Sequence, residues 1–281
     1  MNFTHPTPTI SVVIPAHDEE KTIHIALDSL GKQTTKTPFE VIVVDNASTD
    51  RTAEVARALG ARVVSEPQKG VHFARRAGVA AARGSIIAST DAETAVPQDW
   101  LERIEEFFAA DQTTVALGGP YTSYDADTWG LRFFFNVVLI AGFRIDFVMN
   151  GFRHYLAASN MAFRRWAYDK VGGYHTTHFL GEDVDLSKRL NTVGRVLYIR
   201  KLVVSTSSRR YKQGFWKALY IYLMNHFEHQ LGILEPRHNE LTTVREEKPN
   251  YPSGISINPE VVLKTARDSK DNEKTSAKRL E

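Results

Sequence analysis

Short apolar runs alternate with helical patterns through roughly the first ninety residues, and this alternation limits the fold more than any other feature of the chain. ISVVI (residues 10–14) is β-branched and apolar on both faces, as a buried parallel-type strand is, and Pro15 closes it. Ile23, Ala26, Leu27 and Leu30 then recur at helical spacing. That helix is expected to start within residues 18–21, with acids in its first turn, and to stop at Gly31. Residues 41–44 form a second apolar run that ends in Asp45, and DRTAEVARAL follows as a helix capped by Thr49 or Asp50 and stopped by Gly60. Residues 61–65 read as a third strand, residues 70–83 as an Ala-rich helix ending at Gly84, and residues 86–88 as a fourth strand that runs out toward Asp91. The series β-α-β-α-β-α-β predicts a parallel sheet covered by helices on both faces. Right-handed crossovers bring all the strand ends to one edge, where ligands of open α/β sheets bind.

The second half is less regular. Residues 97–110 read as a helix with proline at its start, 115–120 as a strand and turn, and 155–164 as a strand returning to the sheet. A short helix over 166–171 closes on Gly172-Gly173. An acidic loop leads into a helix with Val184, Leu186 and Leu190 on its apolar side and Gly194 at its end. Residues 196–199 and 202–204 are strand-like, and residues 215–231 form an aromatic, amphipathic helical pattern.

Composition narrows the classes. With 281 residues the chain can bury a substantial core, and 42% apolar with 24% charged residues is ordinary for a globular protein. A net charge of +2, with no massed basic patch in the folded part, gives no reason to expect nucleic acid as partner. The absence of cysteine excludes disulfides and thiolate-bound zinc, so a metal would sit on oxygen or histidine. No secretory signal pattern opens the sequence. Residues 129–149 are broken by Arg132, Arg144 and Asp146, and their uncharged stretch falls short of the ~20 residues of a spanning helix. A cytoplasmic protein is expected, with contact at the inner face of the membrane left open.

Polar residues sit at three strand ends on the expected edge: His17-Asp18-Glu19, Asp45-Asn46 and Asp91-Ala92-Glu93. Asp91 and Glu93 point to the same side of an extended chain. Taken alone, the pair also suits a solvated turn. Two adjacent carboxylates repel each other unless solvated or bridged by a cation, and hard oxygen ligands suit Mg²⁺ or Mn²⁺. The turn after the first strand, PAHDEE, has no glycine, so a glycine-rich dinucleotide turn is absent, as is a P-loop. Carboxylates at such an edge suit a nucleotide base, ribose hydroxyls and a metal that holds phosphates.

Four segments in order resemble the family 2 glycosyltransferases of the GT-A fold: SVVIPAHDEE, VIVVDNASTDRT, IIASTDAE and GGYHTTHFLGEDVDLSKRL. The resemblance runs from about Ile10 to Trp216 and implies an α/β fold with a mixed, mainly parallel sheet. It further implies an inverting transferase that uses a nucleoside diphosphate sugar and a sugar or lipid-linked acceptor, as in cell-envelope polysaccharide synthesis. Residue by residue, Pro15, Ala16 and Glu19 line the nucleotide pocket and Asp45 contacts the base. Asp91 approaches the ribose and the metal, and Glu93 is a metal ligand that replaces the more common second aspartate. Asp183 matches the general base, with Glu182 beside it. Residues 1–236 are then expected to form one transferase domain, with 10–94 as its nucleotide-binding half and 95–236 as its acceptor-side half. Residues 237–281 read as a charged, disordered tail.

Other candidates stay open between two readings. Glu182, Asp183 and Asp185 also suit an acidic helix start. Arg209 and Arg210 partly match a diphosphate-clamping motif of processive relatives, or form a surface basic pair. Lys69 and Arg75 face either the nucleotide or solvent. Asn160 contacts a sugar or satisfies backbone groups at a strand start. His175, His178, His226 and His229 are candidates for a third metal ligand. Residues 129–149 and 215–231 suit the core, a homodimer interface or a membrane surface. Two further functions stand beside the transferase: a nucleotidyltransferase that makes nucleotide sugars, which would want a glycine-rich basic first loop, and an inactive carbohydrate-binding relative, which would have lost its acids.

Overall fold

The computed structural model describes residues 3, 5–138, 141, 155–175, 181–209, 216 and 219–220. In chain order these hold β1 (Ile10–Ala16), α1 (Ile23–Leu30), β2 (Phe39–Asp45), α2 (Thr52–Ala58), β3 (Arg62–Ser65), α3 (Val71–Ala81), β4 (Ile86–Ser89) and α4 (Trp100–Ala110). There follow β5 (Thr114–Gly118), β6 (Tyr121–Ser123), α5 (Trp129–Phe133), a π-helical segment (Phe134–Val138) and a 3-10 turn (Ala158–Asn160). The last elements are β7 (Met161–Arg164), α6 (Arg165–Lys170), α7 (Glu182–Leu190), β8 (Arg195–Tyr198) and β9 (Val204–Thr206). The charged tail 237–281 and most of the 215–231 pattern lie outside the described residues.

The main sheet has the order β3-β2-β1-β4-β7-β5-β8. β1, β2, β3 and β4 are parallel, and β5 pairs parallel with β8. Only β7, antiparallel to both β4 and β5, reverses direction among these strands. This is the mixed, mainly parallel sheet expected from the sequence. β6 and β9 form a separate two-stranded parallel sheet beside it.

Alternation along the central strands splits the core into two layers. Val12, Ile14, Val41 and Val43 pack with Ile23, Leu27, Trp100, Ile104 and Phe108 on one face. Val13, Ile42 and Val44 pack with Ala74, Val79, Leu186 and Leu190 on the other. Each such buried aliphatic side chain stabilises the fold by about 1.5–3 kcal/mol relative to exposure. Having no polar face, β1 and β2 can only be interior strands.

Four expected boundaries move, each for a local reason. β1 continues through Pro15 to Ala16. Pairing of β1 with β4 ends at Val13↔Ser89, so the missing N–H of Pro15 lies beyond the last pair on that side and no ladder bond is lost. α1 begins only at Ile23, leaving Asp18, Glu19 and Glu20 in the preceding loop, where they bond the neighbouring loop. α2 begins at Thr52, although Asp50 still caps it by accepting the Thr52 N–H at 2.9 Å. Of residues 155–164 only Met161–Arg164 are strand, because the chain first turns through Ala158–Asn160.

Gly78 sets how closely α3 approaches the sheet. A Cβ there would stand 2.3 Å from Val13 Cγ1 and 3.0 Å from Val44 Cγ2. Alanine gains roughly 1 kcal/mol over glycine in a helix interior. Overpacking against buried strand residues costs about 1–3 kcal/mol, and Val13 has nowhere to move, so the clash should win. Gly78→Ala is expected to lower the free energy of unfolding by up to about 2 kcal/mol, read as a lower urea midpoint; a higher midpoint would show that α3 can ride away from the sheet.

Candidate active site

The C-terminal ends of β1, β2 and β4 form one edge, with Ala16 in register with Asp45 and Val13 with Ser89. Pro15 and Asp45 are half-buried there and Ala16 is buried. The loops after β1 and β2 hold each other through charge-assisted and neutral bonds. Asp18 Oδ1 accepts the Thr49 N–H at 2.7 Å, and Glu20 Oε2 accepts the Arg51 N–H at 3.1 Å. Asp50 Oδ2 in turn accepts the Glu20 N–H at 3.1 Å, and Thr52 Oγ1 accepts the Glu19 N–H at 2.7 Å. Asp18 and Ala47 adopt left-handed backbone, with φ of 53° and 55°. For alanine this is a strained state, held by its surroundings. Asp45 Oδ1 accepts the Ser48 N–H at 3.3 Å.

Asn46 is buried and anchors the loop after β3. Its Nδ2 donates to the carbonyls of Glu66 (3.1 Å) and Gln68 (2.7 Å), and its Oδ1 accepts the Gly70 N–H at 2.8 Å. Lys69 rides on that loop with its side chain exposed.

Two arginines organise the acids at this edge. Arg75, on the sheet-facing side of α3, is buried rather than solvated. Its Nη2 donates to Asp91 Oδ1 at 2.9 Å, and its Nη1 to Glu182 Oε1. Arg209 makes a forked contact with Glu19, in which Nη1 donates to Oε2 at 2.8 Å and Nη2 to Oε1, and Nη2 also stands 3.2 Å from Glu93 Oε1. Arg209 thus spans two acids. Arg210 lies outside the described residues.

Burial pushes the Glu19 carboxyl up, Glu93 adds to this, and Arg209 pulls it back. Burial likewise pushes Glu182 above the ordinary carboxylate range, with Arg75 opposing and Asp183 reinforcing. Both guanidiniums are held charged by the acids around them despite burial.

Gly181, in left-handed backbone at φ 78°, turns the chain into α7 so that Glu182 and Asp183 open the helix. Asp183 is half-buried; its Oδ2 accepts the Ala158 N–H at 3.0 Å and its Oδ1 the Val184 N–H at 2.8 Å. Thr90, just after β4, donates to the Ser159 carbonyl at 3.0 Å. The 3-10 turn therefore links the Asp91 segment to Asp183. Asp185 pairs with Arg189 at 2.7 Å and serves the helix surface.

In donor chemistry Asp91 and Glu93 suit a hard divalent ion, but β4 ends at Ser89 and the Thr94 N–H bonds the Asp91 carbonyl at 3.1 Å, so the two acids stand on a turn and not, as expected, on one side of an extended strand. One arginine N–H on an oxygen does not exhaust a carboxylate, which offers about four lone-pair sites. No group of three or more His, Asp or Glu suited to a metal occurs among the described residues. His175 stands by Asp185 (3.4 Å), not by this pair, and His178, His226 and His229 lie outside the described residues.

Asn160 takes the structural reading. It is fully buried, its Oδ1 accepts the Trp100 Nε1–H at 2.9 Å, and its Nδ2 donates to the carbonyls of Pro120 (3.1 Å) and Leu202 (2.6 Å). Both amide hydrogens are committed to backbone carbonyls, so Asn160 clamps α4 to the strand ends, the second of its two expected roles. Sequence reasoning underrated Arg75 and passed over Asp125. The signal for Arg75 was present: it shares the apolar helical face of Ala74, Gly78 and Val79, a place where a solvated arginine does not belong.

The glycosyl transferase family 2 model matches residues 11–172, more than half of the chain. Among curated relatives, glycosyltransferase AglE of Haloferax volcanii is 36% identical over 108 residues, 36% of this chain and 36% of its own. The undecaprenyl-phosphate 4-deoxy-4-formamido-L-arabinose transferase of Edwardsiella ictaluri is 34% identical over 117 residues, 37% of this chain and 34% of its own. These matches span about a third of each relative's length. Among solved structures, a mannosyltransferase from Pyrobaculum calidifontis, in complex with GDP-Man and Mn²⁺, superposes with TM-score 0.58 at 22% identity, covering 85% of this chain and 68% of its own. That likeness shows the GT-A architecture, and the family match shows the kinship: the chain belongs to glycosyl transferase family 2.

Proposed function

We propose that this chain moves a sugar from a nucleoside diphosphate sugar to an acceptor hydroxyl, with inversion and with the help of Mg²⁺ or Mn²⁺. One observation carries the reading. Glu19, the Asp91-Ala92-Glu93 turn and Glu182 come from three separate segments, yet their four carboxylates meet at one sheet edge through two guanidiniums, with Asp183 next in the chain. Pro15, Ala16, Glu19 and Asp45 then line the nucleotide pocket, and Lys69 stands at its rim. Asp91 and Glu93 hold the divalent ion, which when bound neutralises the leaving diphosphate as a Lewis acid. A Mn²⁺-containing relative of the same fold supports this choice of ion.

Asp183 takes the proton of the attacking hydroxyl. Its backbone N–H bonds fix where it points, and positioned general bases contribute about 10²–10⁴-fold. The hydroxyl oxygen bonds to the anomeric carbon as the bond to the diphosphate breaks, and in-line displacement inverts that carbon. Glu182, occupied by Arg75, acts as a positioning group beside it. Residues 10–94 serve as the nucleotide-binding half and 95–236 as the acceptor-side half. The glycine-free loop after β1 speaks against a nucleotidyltransferase, and the full set of acids against an inactive relative.

The relative that acts on an undecaprenyl phosphate supports a lipid-linked or cell-envelope acceptor. No helix among the described residues is long and apolar enough to cross a membrane. Trp129, Phe133 and Val137 are exposed at successive helical turns, with Arg132 exposed among them. This stripe supports peripheral contact at the inner face of an anionic membrane.

Thermal-shift screening of UDP, GDP, CDP and dTDP with and without Mn²⁺ should find one diphosphate that raises the melting temperature only with the metal. Glu93→Ala should abolish that dependence, and an unchanged shift removes Glu93 as ligand. Asp183→Asn should keep donor binding and lower turnover by about 10²–10⁴-fold; turnover at the wild-type rate excludes Asp183 as base. On anionic liposomes at low salt the protein should float with the vesicles, and a protein that stays at the bottom of the gradient has no such membrane contact.

A further inference from the structure

The two arginines of the site differ in a way that bears on how it loads. Arg75 is sealed between α3 and α7, its side chain 7% exposed. Arg209 is three times as exposed, at 21%, and lies over Glu19 and Glu93, each 8% exposed. Arg209 is thus the more accessible partner in its contact with Glu93. The backbone beneath Arg209 is fastened. Buried Asp125 accepts the Ser207 hydroxyl at 2.7 Å and the Ser208 N–H, its carbonyl accepts the Ser208 hydroxyl at 3.2 Å, and Ser207 Oγ accepts the Arg209 N–H at 3.2 Å. The Arg209 side chain thus extends from a fixed base.

A divalent ion on Glu93 and a guanidinium 3.2 Å from the same carboxylate oxygen compete for one charge and repel each other. The diphosphate that accompanies the ion is the planar-fork partner a guanidinium prefers. We propose that Arg209 is an exchangeable counter-ion: it neutralises Glu19 and Glu93 in the donor-less protein, and turns to the diphosphate when a divalent ion takes Glu93. The inference rests on the donor reading above and adds an order to it: the ion binds weakly alone and tightly with its nucleotide. A permanent structural pair would instead support both kinds of binding or neither.

The test is calorimetric titration of the full chain at pH 8, first with Mn²⁺ alone and then with UDP, GDP, CDP and dTDP in its presence. Arg209→Gln should bind Mn²⁺ alone about tenfold more tightly than wild type, and the nucleoside diphosphate with Mn²⁺ about tenfold more weakly, opposite changes within the range of site-to-site couplings. Arg209→Lys keeps the charge and loses the fork, so both changes should have the same signs and be smaller. It carries the test alone if circular dichroism shows Arg209→Gln unfolded. Mn²⁺ affinity that is unchanged or lowered in the folded variant overturns the proposal. Failure of wild type to bind any of the diphosphates overturns the donor reading instead, and the Mn²⁺-only titration then still decides whether Arg209 guards Glu93.

Discussion

Four carboxylates meet at the end of a sheet whose interior is apolar, and two guanidiniums make that possible. Like charges brought together in partial burial would drive one another to protonate or drive the loops apart. An arginine offers five N–H donors in a planar fork, enough for two acids at once, and stays charged where lysine would not. Arg75 serves Asp91 and Glu182, and Arg209 serves Glu19 and Glu93. Removing one partner from such a buried pair typically costs 3–5 kcal/mol, because the other charge is left behind. The network therefore cross-links the molecule: β4's exit to α3 and α7 on one side, β1's exit to the segment after β9 on the other.

The packing elsewhere can be read as what holds those two arginines in place. Gly78 lets α3 lie directly on β1 and β2, and Arg75 is one turn earlier on the same helical face. Asn160 ties α4 to the carbonyls of Pro120 and Leu202, which brace the approach to β9. Asp125 joins the ends of β6 and β9 and fixes the backbone from which Arg209 reaches.

The parallel half was legible because its signals are local. Apolar runs, helical periods and glycine stops gave β1 through β4 within a few residues, and the three acidic strand ends fell on one edge as expected. The misplacements came from contacts between segments distant in sequence. α1 starts late because Asp18 and Glu20 bond a loop some thirty residues on. Arg75 looked like surface because its partner Glu182 is 107 residues away, and Arg209 looked undecided because Glu19 is 190 residues away. A helical wheel could have flagged Arg75, whereas Arg209 carries only a partial motif match, and nothing local names Glu19 and Glu93 as its partners. Asn160 was ambiguous for the opposite reason: a buried amide and a sugar-binding amide have the same sequence signature, and only the count of hydrogen bonds separates them.

The pairing of Arg209 with Glu93 also gives a physical reason for the one departure from the common Asp-x-Asp pattern. A glutamate carries its carboxylate up to about 1.5 Å farther from the backbone than an aspartate does, one carbon–carbon bond. The contact from Glu93 to Arg209 is 3.2 Å. Shortening the side chain along that line would open the contact beyond hydrogen-bond reach and leave Glu19 to hold the guanidinium alone. Tyr124, whose hydroxyl donates to the Glu93 carbonyl at 3.2 Å, fixes the backbone and so leaves the side-chain length to decide the reach. The longer acid and the distant arginine are two halves of one arrangement, and Glu93 in this chain is better understood together with Arg209 than alone.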